Sequence, residues 1–107
     1  MNQLSATDLA AWLADDTRGK PVLLDVREEN EFAYCHIPDS QLMPMQTVPA
    51  RMQELDDDAP IVCICHHGMR SMQVAMFLER QGFANVFNLA GGVHAWAQQV
   101  DPDMPVY

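Results

Sequence analysis

Basic residues are scarce in this chain: six lysines and arginines face fifteen aspartates and glutamates, for a formal net charge of −9. That shortage argues against a nucleic-acid partner, whose phosphates are met by Lys and Arg. Long hydrophobic runs are missing as well. None approaches the roughly 20 apolar residues that span a bilayer, so no membrane partner is expected. The opening residues, Met1-Asn2-Gln3-Leu4-Ser5, hold no basic cluster leading into an apolar stretch, which speaks against a secretory signal and for the cytoplasm. Cysteine is sparse and odd in number: Cys35, Cys63 and Cys65 are the only ones. Such a count builds no disulfide framework, and reduced thiols suit a cytoplasmic location. Each cysteine is then core filler, metal ligand or nucleophile. Internal repeats, low-complexity tracts and linkers are all lacking.

What is present describes one small folded domain. With 107 residues, 49% hydrophobic and 20% charged, the chain can bury a modest core. It reads as a single domain over residues 1–107, with an irregular tail from Asp101 because Pro102 and Pro105 interrupt any helix there. Ser5-Ala6-Thr7-Asp8 resembles a capping box with Asp in place of Glu and predicts a helix to about Asp15. Leu9, Trp12 and Leu13 form its buried stripe. Val22–Val26 follows Pro21 and suits a buried strand. A short helix over Glu28–Tyr34, a brief strand over Gln41–Met43 and a helix over Pro49–Leu55 come next. Ile61–Ile64 is the clearest strand and Ser71–Gln81 the clearest helix, stopped by Gly82. Val86–Leu89 is a last strand, and Gly91-Gly92 lead into a short helix holding Trp96. Strands separated by helices predict an α/β domain: a small, mainly parallel central sheet with helices on both faces.

In open sheets of this kind, active sites gather at the carboxyl ends of the strands. The segment Ile61-Val62-Cys63-Ile64-Cys65-His66-His67-Gly68-Met69-Arg70-Ser71 runs from a buried strand through a tight loop into a helix. Gly68 permits that tight path. The backbone N–H groups that follow Cys65 can converge on one point at the helix N-terminus and hold an anion. A helix N-terminus and a nearby cation also favour a thiolate over a thiol. Arg70 is a permanent cation close by, so Cys65 is the candidate nucleophile and residues 66–70 its anion cradle.

The motifs can now be compared with a known family. Cys65-His66-His67-Gly68-Met69-Arg70-Ser71 resembles the C-x-x-G-x-R-S loop of single-domain rhodaneses, which are sulfurtransferases. Asp25-Val26-Arg27 followed by Glu31-Phe32 resembles their D-V-R-x-x-x-E-[YF] stretch. His36-Ile37-Pro38 is similar to a G-H-I-P turn, with Cys35 standing where glycine is usual. Asp39 is another position where glycine is common. Gly91-Gly92-Val93-His94-Ala95-Trp96 resembles the terminal G-G-x-x-x-W signature. The motifs occur in family order over residues 25–96. The resemblance implies a rhodanese-like fold and a two-step exchange. Cys65 takes the sulfane sulfur of a small anionic donor such as thiosulfate, releasing sulfite and leaving a persulfide. Cyanide, a thiol or a protein acceptor then removes that sulfur. The loop residues His66, His67, Gly68, Met69 and Arg70 would cradle the persulfide, and no cofactor is needed.

Each candidate also has a duller reading. Arg70 either holds the anionic donor or fixes the loop through carbonyl contacts. His66 and His67 either act on the donor or merely shape the mouth of the pocket. Asp25 and Arg27 support the site, more as a charge network with Glu31 than as substrate contacts. Trp12 and Trp96 are core, and so is Cys63. Met69 and Met72 flank the loop as an apolar lip or as filler. No metal is expected: Cys63, Cys65, His66 and His67 crowd into five positions, whereas a tetrahedral site usually draws on two separated pairs. Cys35, His36 and His94 have no recognised spacing. Two other activities compete. A sulfur carrier serving a protein partner shares every motif. A cysteine-dependent phosphatase or arsenate reductase needs C-x5-R, whereas Cys65 to Arg70 is C-x4-R, one residue short.

Overall fold

Ile61-Val62-Cys63-Ile64 is apolar throughout and mostly β-branched, so it can be covered on both faces. The computed structural model, which describes residues 1–107, puts this segment at the centre of a five-stranded parallel sheet. Along the chain the elements are β1 (Asn2–Leu4), α1 (Ala6–Ala14), β2 (Val22–Asp25), α2 (Glu29–Tyr34), β3 (Gln41–Leu42), α3 (Val48–Arg51), β4 (Ile61–Ile64), α4 (Met69–Arg80), β5 (Val86–Leu89) and α5 (Gly92–Gln99). The strand order is β1-β5-β4-β2-β3. Val22 to Asp25 pair residue by residue with Ile61 to Ile64, and Ile61 to Cys63 pair with Val86 to Asn88. All strands therefore end on the same edge, and the loops after β2, β4 and β5 meet there. The α/β class expected from the alternation is the class observed.

Side chains alternate across β4 because the strand period is two. Val62 and Ile64 join one core with Leu9 and Trp12 of α1 and Val93 and Trp96 of α5. Ile61 and Cys63 join the other with Val74, Ala75 and Leu78 of α4 and Val48 of α3. Cys63 is thus packing, as its place in the strand suggested. Ser5 caps α1, its Oγ accepting from the Asp8 amide at 3.1 Å.

Three elements differ from the sequence reading. The strand β1 was not anticipated; it carries Leu4 as its single apolar residue and holds an edge by pairing Asn2–Leu4 with Phe87–Leu89. The helix expected over Pro49–Leu55 is broken into α3 between two 3₁₀ turns, Met45–Thr47 and Met52–Glu54. The second turn is tight enough to bring Arg51 onto Glu54 three residues later. The helix expected from Ser71 begins at Met69 instead, because Gly68 already serves as its N-cap. The tail after Asp101 is irregular, as the prolines require, yet it is packed. Met104 is buried in the first core, and Tyr107 folds back to the edge where the strands end.

Candidate active site

Cys65 leaves β4 at the carboxyl edge of the sheet, and the chain turns at once into α4. The turn depends on Gly68, whose φ of +101° lies in the left-handed region that glycine adopts without strain. The backbone is crowded there as well: a Cβ on Gly68 would stand 3.2 Å from the Gly91 nitrogen and 3.3 Å from the Leu89 oxygen. This turn aims the Gly68 amide back at the nucleophile, and its N–H donates to Cys65 Sγ at 3.1 Å. Among the loop amides it is the Gly68 N–H that bonds the sulfur. The Ser71 hydroxyl, in the first turn of α4, lies 3.2 Å from Sγ. Cys65 itself is 1% exposed.

Behind the loop stands Asn88 of β5, a residue the sequence reading passed over. It is 2% exposed. Its Nδ2 donates to the Gly68 carbonyl at 3.1 Å and to Gln3 Oε1 at 2.9 Å. Both amide protons are spent, so Oδ1 faces Ser71 Oγ, 2.5 Å away, and receives its proton. Ser71 has one proton. While Asn88 takes it, Ser71 turns a lone pair toward Cys65. A thiol can donate to that lone pair; a thiolate is served only if the hydroxyl rotates away from Asn88. The available signal was a polar residue inside an otherwise apolar strand, since buried amides nearly always have a built partner.

The charged residues form a chain beside the loop. Arg70 donates to both oxygens of Glu31, at 2.8 and 3.0 Å, and so ties α4 to α2. Its guanidinium is thereby occupied by a carboxylate, and the carbonyl contacts considered for it are not the ones it makes. The Arg70 bonds hold Glu31 well below the usual carboxylate range, down to about 2. Asp25 and Arg27, both fully buried, form a separate forked pair with bonds of 2.7 to 3.1 Å. Arg27 also donates to the Cys35 carbonyl at 2.6 Å and to the Tyr107 hydroxyl at 2.8 Å. Burial alone would lower the Arg27 pKa, but the bonds to Asp25 and Tyr107 outweigh it and raise it. Tyr107 in turn donates to Glu31 at 2.8 Å. The expected network of Asp25, Arg27 and Glu31 therefore exists, joined by a tyrosine from the far end of the chain.

The unusual turn residues resolve simply. Cys35 has φ −161°, extended backbone open to any residue, so glycine is not required there. Asp39 has φ +68° and is the single non-glycine residue in the left-handed region, one of the few residue types that tolerate it.

The histidines sit over the loop. His66 is half-buried and packs between His67, with ring centroids 3.9 Å apart, and Tyr107, at 3.8 Å and nearly parallel. Burial, with His67 beside it, holds His66 below the usual histidine value. That shift disfavours the cationic form that would serve a thiolate. His67 and Met69 are exposed. Cys63 is no partner for Cys65 either, because burial pushes its thiol up to about 12. No helix is long and apolar enough to cross a membrane.

Comparison with known proteins gives this geometry its kin. The rhodanese-like domain family matches residues 5–99. A sulfurtransferase of Allochromatium vinosum is 38% identical over 98 residues, covering 92% of this chain and 90% of that protein. The thiosulfate sulfurtransferase GlpE of Pseudoalteromonas translucida is 37% identical over 75 residues, covering 70% of this chain and 71% of that one. Of some longer relatives the chain spans 30% or less. A rhodanese-like domain protein from Staphylococcus aureus, known as a crystal structure, shares the fold with a TM-score of 0.85 at 28% identity, over 100% of this chain and 99% of that one. A family match across nearly the whole sequence, close relatives of similar length and a shared fold agree, and the chain belongs to the rhodanese-like domain family.

Proposed function

We propose that this protein is a sulfurtransferase in which Cys65 accepts a sulfane sulfur from a donor such as thiosulfate and passes it to a thiol or cyanide. The observation that carries the reading is the position of Cys65 Sγ, at a strand exit, under the Gly68 amide and the Ser71 hydroxyl. The thiolate attacks the outer sulfur of thiosulfate, the sulfur–sulfur bond breaks, and its electron pair leaves with sulfite. The product is a cysteine persulfide, whose negative end the amide and the hydroxyl can stabilise. An acceptor nucleophile then attacks that outer sulfur and restores the Cys65 thiolate. Splitting the transfer into two displacements is covalent catalysis, and once the thiolate exists neither step needs a general base.

The relatives named as sulfurtransferases support the reaction class, and the GlpE name supports thiosulfate as donor. Arg70 disfavours the phosphatase alternative: it grips Glu31 instead of facing the loop centre. Met69, 65% exposed beside the nucleophile loop, favours an acceptor thiol carried on a protein. The test is intact-protein mass spectrometry after incubation with thiosulfate. Wild type is expected to gain one sulfur atom that cyanide removes, and Cys65→Ser to gain none. Absence of the adduct from wild type with both thiosulfate and a persulfide donor would overturn the proposal.

A further inference from the structure

His66, His67 and His94 each bring a ring nitrogen into one group, and the nitrogens lie within 4.8 Å of one another. Spacing along the chain does not join His94 to the other two, which lie 27 or more positions before it. It arrives because the first turn of α5 docks on the nucleophile loop. The Val93 amide donates to the Cys65 carbonyl at 2.9 Å, and the His94 amide to the His66 carbonyl at 3.1 Å. Gly92 makes that approach possible, since a Cβ there would collide with the Cys65 and His66 carbonyls. His94 is thus held to His66 by backbone, independently of either ring.

The geometry suits ligation. Imidazoles around one tetrahedral ion, with nitrogens about 2.0–2.1 Å from it, hold their ring centroids about 5 Å apart. The His67–His94 centroids are 5.0 Å apart and the His66–His94 centroids 6.2 Å. The His66–His94 pair is about 1 Å wide of that spacing and the His66–His67 pair, at 3.9 Å, about 1 Å short of it, and His67 is exposed, so its ring has room to turn outward. A second observation points the same way. His66 Nε2 and His94 Nδ1 are buried and have no hydrogen-bond partner, where buried nitrogens ordinarily have one. The electrostatics also permit a cation. Arg70 and Arg27 are each neutralised by their own carboxylates, and the protein as a whole is strongly acidic.

We propose that His66, His67 and His94 form a binding site for a divalent first-row transition ion of the zinc class. Neutral imidazole is the ligating form and suits such ions. Three nitrogens leave a fourth position to water or to a sulfur ligand. His66 and His67 belong to the loop that follows Cys65, so a bound ion sits on that loop. The site is inferred from the histidines alone and does not rest on sulfur transfer.

The test is a zinc titration of Cys65→Ser protein, with no sulfur compound present, read by competition with a chromophoric chelator and by NMR of the imidazole rings. Removing the thiol ensures that binding reports the histidines. One ion is expected to bind with a roughly micromolar Kd. His67→Gln and His94→Gln, each in that background, are expected to weaken binding at least about tenfold. The ring signals of His66, His67 and His94 should shift, while those of His36, whose Nδ1 lies 2.8 Å from the Phe32 carbonyl, stay in place. His67 is exposed, so His67→Gln keeps the test open should His94→Gln unfold on circular dichroism. Absence of saturable binding, or affinity unchanged by substitution of either histidine in a folded variant, overturns the site.

Discussion

Ser71 has one hydroxyl proton, and two atoms compete for it. Asn88 Oδ1 at 2.5 Å holds it now; Cys65 Sγ at 3.2 Å needs it once the sulfur is charged. Hydrogen bonds to charged groups are the stronger kind, so the hydroxyl should rotate when the thiolate forms, at the expense of Asn88. The two neighbours then have opposite effects. Asn88→Ala frees the hydroxyl, and alkylation of Cys65 at pH 7 should run faster, by up to about tenfold, the worth of one such bond. Ser71→Ala removes the donor and should slow it by a similar factor. Asn88→Ala should also cost about 1–3 kcal/mol of stability, because the Gly68 carbonyl loses a buried partner. A shift in the same direction for both variants would sink this account. Cys65 was legible in the sequence because its neighbours announce a strand, a glycine turn and a helix. Asn88 was not, because its partner Ser71 lies 17 positions away, and no local pattern says which strand lies behind which loop.

At the scale of elements, α2 is the least anchored helix. It has no buried residue, and its attachment to α4 runs through Glu31 and Arg70. Glu31 has its carboxyl depressed to about 2 from an ordinary 4.5, chiefly by the Arg70 bonds. A carboxylate with a lowered folded-state pKa contributes stability that is fully present above 4.5 and is lost as pH falls toward 2. Glu31→Gln should therefore lower stability at pH 6 by about 1 kcal/mol, the scale of a partly exposed ion pair. The difference from wild type should shrink steadily between pH 4.5 and 2. Denaturant unfolding at pH 6 and pH 3 measures it, and an equal gap at both would mean that the contact acts through packing and not charge. Strong local signals made β4 and α4 readable: an apolar β-branched run, and a helical stripe closed by Gly82. The helix over Pro49–Leu55 misled because Pro49 suits a first helical turn, while the chain tightens into 3₁₀ turns on both sides of α3. The strand β1 exists only through its pairing with β5, and a segment with Leu4 as its single apolar residue carries no period to read.

For the molecule as a whole, charge and closure set the terms on which a donor arrives. Tyr107 closes the chain over the site, bonding Arg27 and Glu31 from 80 and 76 residues away and stacking on His66. The prolines made an irregular tail legible, but not its destination. Of the six bases, Arg27, Arg51 and Arg70 are spent in ion pairs. Each pair also spends one acid, so the net charge of −9 rests on groups outside these pairs. The protein measures 35 × 34 × 19 Å. At about 0.01 M salt the Debye length is about 30 Å, so a dianion such as thiosulfate feels nearly every acid on the molecule; at about 0.15 M it is about 8 Å and only the nearest groups count. Raising salt across that range should then increase kcat/KM for thiosulfate, by about two- to tenfold, while a neutral sulfur donor shows no trend. Steady-state rates at constant pH with an inert salt make the measurement. A decrease for thiosulfate would reverse the conclusion: the encounter would be governed by a local positive field that Glu31 fails to cancel, and Arg70 would return as the group that draws the donor in.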